Sequence, residues 1–280
     1  MNRIDTAFAR LKREGVAGLA PFICGGYPSL DSTHGALIAL DRAGATLIEV
    51  GIPFSDPIAD GPVIAAAMHH ALSLGVTPRA VLDTITKARA QTQVPIVLMV
   101  SVSILWKLGV ANFVNHAASA GVDGFILPDL PVDESDLFIP AIRDAGLTAT
   151  LLLAPTTPPP RIERIAKACS GFVYLLARLG ITGDSPSHQR SPEPALPLSG
   201  ADIAARIKQI RQFTDLPIAC GFGVSTPEHV AAVVRQGGAD AAVVGSALVK
   251  RMARAASEIS DPAAEAESFL RSLRAGLTSA

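Results

Sequence analysis

The sequence has no excess of charge of either sign, with 24 Lys and Arg against 25 Asp and Glu. Such a chain carries no general field for nucleic acid or an anionic membrane, so any anion it binds must be held locally. Long hydrophobic runs are also missing. Uncharged stretches such as Ala90 to Trp106 are interrupted by Gln, Thr and Pro, short of the roughly 18 apolar residues a membrane helix needs. The N-terminus, MNRIDTAFARLKREG, reads as a short amphipathic helix without the apolar core of a signal peptide. A cytoplasmic protein is expected. Cysteine is scarce: Cys24, Cys169 and Cys220 are odd in number and far apart, which argues against a disulfide framework or a zinc ribbon and favours buried packing. The histidines form no cluster. His69 and His70 are adjacent and so point to different faces of a helix, and His34, His116, His188 and His229 are scattered. No metal site is expected.

What is present is apolar residue in quantity, 49% hydrophobic against 18% charged over 280 residues. That is the composition of a soluble protein with a large core. The length suits two small domains or one large one, and α/β barrels commonly reach it as a single domain.

Short apolar or β-branched runs recur along the chain: APFIC, TLIEV, PIVLMV, DGFIL, TATLLL, FVYLL, PIAC and DAAVV, beginning near Ala20, Thr46, Pro95, Asp123, Thr148, Phe172, Pro217 and Asp240. Between them lie segments such as DSTHGALIALDRAG, GVANFVNHAASAG, DESDLFIPAIRDAG, PPRIERIAKACSG and TPEHVAAVVRQGG, with apolar residues at spacings of three and four. Strands alternating with helices are the grammar of parallel βαβ units. Eight of them in one domain predict a (β/α)₈ TIM barrel over residues 1–280, with a short N-terminal helix; a doubly wound open sheet is the alternative. In a barrel the chemistry sits in the loops after the strands. Two such loops are long: Gly51 to about Pro62, and GITGDSPSHQRSPEPALPLSG, which reads as a lid.

The stretch LIEVGIPFSDPIADGP contains three acids and neither Lys nor Arg. Side chains alternate along a strand, so if Leu47 faces the barrel interior, Glu49 does too. A carboxylate half-enclosed by apolar neighbours has its pKa raised toward the range useful for proton transfer. The competing reading is a structural glutamate bonded to backbone or to an arginine. Asp60 precedes Gly61 and Pro62, where Pro62 suits the first position of a helix; an ordinary helix acid or cap is the alternative for it. Asp56, between Ser55 and Pro57, is expected to be exposed. Near the other end, CGFGVSTPEH and VVGSALVK follow the seventh and eighth strands. Barrels often bind phosphate there, on glycine-rich backbone and a helix N-terminus, which singles out Gly223, Gly245 and Ser246.

LIEVGIPFSDPIADGP resembles the signature of the tryptophan synthase α subunit family. The likeness continues through PFICGGYPS, GVTP, LPDLPVDES, LLAPTTP, GFVYLLARLGITG, ALPLSG, CGFGVSTPEHV and GSALVK. It implies a (β/α)₈ barrel that cleaves indole-3-glycerol phosphate to indole and glyceraldehyde 3-phosphate by a reverse-aldol reaction, without a cofactor of its own. By the same resemblance Glu49 transfers protons at the indole C3 region and the glycerol hydroxyl, and Asp60 holds the indole N–H. Thr182 and Gly183 match the family's lid, and Gly183, Gly223, Gly245 and Ser246 its phosphate cradle. Phe22, Met99, Tyr174 and Phe222 fall where the family lines its substrate pocket. A β subunit carrying pyridoxal phosphate is the implied partner, in an α₂β₂ assembly, with Pro53, Asp56 and Asp129 in the contact segments.

The sequence departs from the family after the third strand, where a Tyr and then an Asn followed by Pro are replaced by Ser101, Ser103 and Ile104. The lid also carries an insertion, 184–194, although Arg178 matches the family's first lid arginine. Two alternatives follow: a free-standing lyase that releases indole, and a non-catalytic activator of a β subunit.

Overall fold

All of the apolar runs singled out in the sequence form strands. The computed structural model describes residues 2–57, 60–177, 199–221 and 223–278. In it the strands are β1 Gly18–Cys24, β2 Ile48–Gly51, β3 Ile96–Met99, β4 Gly124–Ile126, β5 Thr148–Thr150, β6 Leu152–Leu153, β7 Val173–Leu176, β8 Ile218–Gly221 and β9 Ala241–Val244. They pair in the order β5-β4-β3-β2-β1-β9-β8-β7-β6, in parallel throughout.

The run TATLLL supplies both ends of that order. Its first half, β5, pairs with β4, and its second half, β6, pairs with β7. Between them the Leu151 N–H donates to the Cys169 sulfur at 3.2 Å instead of to a neighbouring strand. One strand position is thus split in two, and the segment itself closes the ring. A doubly wound sheet would leave two unrelated edges, so the barrel is the fold.

The helices are α1 Arg3–Glu14, α2 Leu30–Arg42, α3 Pro62–Ser73, α4 Pro78–Ala88, α5 Val102–Leu108, α6 Val110–Ser119, α7 Ile139–Asp144, α8 Pro159–Ala168, α9 Gly200–Ile210, α10 Pro227–Ala231, α11 Ser246–Ser257 and α12 Pro262–Leu273. Local chemistry sets many of their starts. Thr77 and Thr226 accept from the N–H three residues on, and a Pro follows each at the first helical turn. The segment DESDLFIPAIRDAG does not form one helix. It divides into a 3₁₀ turn, Val132–Leu137, and α7, because Pro140 has no N–H to give to the carbonyl four residues back and its ring would crowd it. None of the described helices is long and apolar enough to cross a membrane.

Strand alternation divides the core. Ile48, Val50, Ile96 and Leu98 pack outward against the helices, whereas Ala20, Leu47, Val97, Ile126 and Tyr174 fill the barrel interior. Ile4, Phe8 and Leu11 of α1 join that interior cluster, so the N-terminal helix closes the barrel at the face opposite the catalytic loops. Asp123 pins this end. Its carboxylate accepts from the Ile96 N–H at 2.8 Å, from Arg3 at 2.9 Å and from Arg89 at 2.7 Å. Removing Arg89, the enclosed partner of this carboxylate, costs about 3 kcal/mol or more, which fits the stabilising role of this face in barrels.

Candidate active site

Glu49 follows Leu47 inward. In the sheet it lies between Phe22 of β1 and Val97 of β3, and it is fully buried. Neither carboxylate oxygen has a hydrogen-bond partner among the described residues. Among the described residues, then, no backbone group or arginine holds it as a structural glutamate. With no compensating donor, burial pushes its pKa up to about 8, from an ordinary 4.5.

One pocket gathers Glu49 with Phe22, Asp60, Ile64, Met99, Tyr174, Gly223, Gly245 and Ser246. Asp60 enters from the loop between β2 and α3. It is not the cap of α3, since Gly61 holds that position and makes no side-chain capping bond. Burial alone raises its pKa to about 6. The two acids therefore sit in one apolar setting at different strengths, a division of labour suited to one protonated and one ionised group near neutral pH. Burial, then the charges of Glu49, Cys220 and Asp60, drive the Tyr174 phenol well above its usual value, so it stays neutral. Burial and then the Asp60 charge push the Cys24 thiol up to about 12, so it too stays protonated.

Space in the pocket depends on Gly51. A Cβ there would come within 2.6 Å of the Phe22 Cζ, so the missing side chain is what lets the Phe22 ring lie across the end of β2. In the same pocket, Gly245 follows β9, two strand positions from β2, and precedes α11, which no side chain caps. The first N–H groups of a helix have no partner within it and carry the positive end of the dipole, a ready cradle for an anion. Gly223 contributes a left-handed turn, φ 72°, that a side chain would strain.

An adjoining pocket shares Asp60 and Met99 with the first and is walled by Phe54, Asp56, Ser101, Pro128 and Asp129. Asp56 is exposed, as expected, whereas Pro53 is buried. Asp129 is bound within the chain. It accepts from the Ser101 hydroxyl at 2.6 Å and from the Val102 N–H at 3.0 Å, at the start of α5, where Ser101 is also the capping residue. The residue that departs from the family pattern is thus bonded to the candidate partner contact. Thr182, Gly183, Phe222, Arg178 and the insertion 184–194 lie outside the described residues.

Sequence reasoning did not find Ile64, Gly221 or Val243, which complete the pocket wall. Ile64 is an ordinary apolar helix residue in the sequence, and only the approach of α3 to the strand ends makes it a wall.

A model of the tryptophan synthase alpha chain family matches residues 8–278. Among curated proteins, the chain is 42% identical to the tryptophan synthase alpha chain of a Cyanothece species, over 99% of both chains. It is 41% identical to that of a Synechococcus species, over 97% of this chain and 96% of the other. Among solved structures, tryptophan synthase subunit alpha from Legionella pneumophila superposes with a TM-score of 0.86 at 32% identity, covering 99% of this chain and 98% of the other. A chain of Mycobacterium tuberculosis tryptophan synthase in its aminoacrylate-bound form gives 0.83 at 28% identity, covering 99% of this chain and 100% of the other.

Proposed function

The chain belongs to the tryptophan synthase alpha chain family, and from that premise we propose how its residues share the work. The reaction is the reverse-aldol cleavage of indole-3-glycerol phosphate to indole and glyceraldehyde 3-phosphate, a carbon–carbon lyase step of tryptophan synthesis.

Glu49 is the proton carrier. In its neutral form it gives a proton to the indole ring carbon that bears the glycerol chain, leaving a cation delocalised to the ring nitrogen. Asp60, ionised, accepts the ring N–H and stabilises that charge. The Glu49 carboxylate then takes the proton of the neighbouring glycerol hydroxyl. As the oxygen becomes an aldehyde carbonyl, the carbon–carbon bond breaks and its electron pair returns to the ring. Indole leaves neutral and Glu49 is protonated again. The observation that carries this reading is the fully buried Glu49 carboxylate with no hydrogen-bond partner among the described residues. Such a group is costly for a fold and useful for proton transfer.

Gly223, after β8, together with Gly245 and Ser246 at the uncapped start of α11, holds the phosphate, with Thr182 and Gly183 assigned to the lid by family motif alone. Phe22, Met99 and Tyr174 bound the indole and glycerol, and Phe222 joins them by motif. None of these steps asks for a metal or an organic cofactor. We read residues 1–280 as one catalytic domain, in keeping with the span of the family match, and the protein as cytoplasmic.

Membership in the family implies a β partner. An α₂β₂ assembly is the form we propose, with pyridoxal phosphate in the β subunit and Asp56, Pro53 and Asp129 on the contact side. The adjoining pocket walled by Asp56 and Asp129 supports that side, because it abuts Asp60. Indole production from indole-3-glycerol phosphate by the purified chain, with and without a β subunit, is the test. Activity that rises with the β subunit is expected. High activity that is indifferent to it points to a free-standing lyase, and none in either condition rejects the enzyme.

A further inference from the structure

The loop from β2 to α3 carries Asp60, yet its apex is held by little. Of residues 53–57, only Ser55 hydrogen-bonds to an element outside the loop, among the described residues. The Ser55 carbonyl accepts from the His69 ring nitrogen Nε2 at 3.0 Å. His69 lies two turns into α3, and because a carbonyl only accepts, the imidazole must carry its proton on Nε2. From the same apex the Pro57 carbonyl accepts the Asp60 N–H at 3.0 Å. The Ser55 hydroxyl donates to Asp56 at 2.7 Å.

A short relay therefore runs from a helix that the barrel holds rigidly, through one imidazole, to the backbone that carries the indole anchor. Ile64, Ala67 and Met68 bury the opposite face of α3, so the helix is a fixed post and His69 reaches outward from it. His69 has no part in the pocket itself.

We propose that His69 is a positioning residue for Asp60: its Nε2–H fixes the apex of the loop and thereby the place from which Asp60 meets the indole ring. The inference rests on the role given to Asp60. Its effect belongs in turnover, because a misplaced carboxylate still leaves the phosphate and apolar contacts that bind substrate, while the charge formed in the transition state is less well matched.

The experiment compares the full-length chain with His69→Leu, His69→Gln and Asp60→Asn, reading kcat, KM and Tm on indole-3-glycerol phosphate. His69→Leu is expected to lower kcat about tenfold, with KM within about twofold and Tm unchanged, since the ring is exposed. His69→Gln, whose amide nitrogen can donate from nearly the same place, is expected to restore most of the kcat. Equal kcat in parent and His69→Leu overturns the proposal, as does equal loss in the Leu and Gln variants. If the parent is active and Asp60→Asn costs nothing, the role of Asp60 fails instead, which separates the two ideas.

Discussion

Glu49 on β2 and Tyr174 on β7 line one pocket from strands on opposite sides of the barrel. Neither is offset by a cation, for the described residues of that pocket include no Lys or Arg. Burial therefore acts on both without compensation and keeps both neutral at the start of the reaction. A carboxylic acid held neutral near physiological pH can donate its proton to carbon, which an ordinary surface glutamate cannot do at that pH.

Glu49→Gln keeps the shape of the side chain and removes the transferable proton. Turnover is expected to fall by about a thousandfold or more, within the range that general acid–base groups contribute. KM should stay within a few-fold, because the binding contacts are unchanged. Steady-state kinetics with isothermal titration of substrate checks both, and retained turnover would refute the role of Glu49.

The pH profile of indole formation is expected to be a bell. Asp60 must be ionised, so activity is lost as pH falls through about 6. Glu49 must be protonated, so activity is lost as pH rises through about 8. Asp60→Asn should remove the acid limb from its residual activity, and a parent profile that is flat from about pH 5 to pH 9 contradicts the assignment.

Stability should depend on pH in the sense opposite to that of a salt-bridged acid. The folded pKa of Glu49, about 8, lies above its ordinary 4.5. Between those values the folded state holds a proton that the unfolded state has released, so stability falls as pH rises through that window. Asp60 adds the same trend between 3.8 and about 6. The Tm advantage of Glu49→Gln over the parent is therefore expected to grow from pH 5 to pH 8, and a constant difference would reject this.

Two glycines of the site separate packing from binding. A Cβ at Gly51 meets the Phe22 ring at 2.6 Å, so Gly51→Ala should cost about 1–3 kcal/mol in stability and raise KM by displacing the ring. At Gly245 the nearest atom to an added Cβ is 3.7 Å away, in ordinary contact. Gly245→Ala should leave Tm nearly unchanged while raising KM and weakening inhibition by glycerol phosphate, if the start of α11 holds the phosphate. Denaturant melts beside inhibition constants distinguish the two variants.

By itself the sequence determined the alternation of strands and helices, favoured the barrel over an open sheet, and put Glu49 on the same face as Leu47. These depend on periodicity: a strand turns alternate residues to opposite sides, so Leu47 and Glu49 could be read together from neighbours in the chain. It also carried, by family motif, most of the pocket.

Only the tertiary structure decided three other matters. It showed that Glu49 lacks a partner among the described residues, because a missing contact is a property of everything packed around a group. It showed Asp129 bonded to Ser101, and His69 to Ser55; these pairs lie 28 and 14 residues apart and have no pattern that links them in the chain. And it divided the fifth strand at Leu151, because the sulfur of Cys169, on the segment after α8, comes near enough to take that residue's N–H. Local chemistry is written in spacing, whereas the partner of a buried donor or acid is chosen by how the finished barrel brings distant segments together.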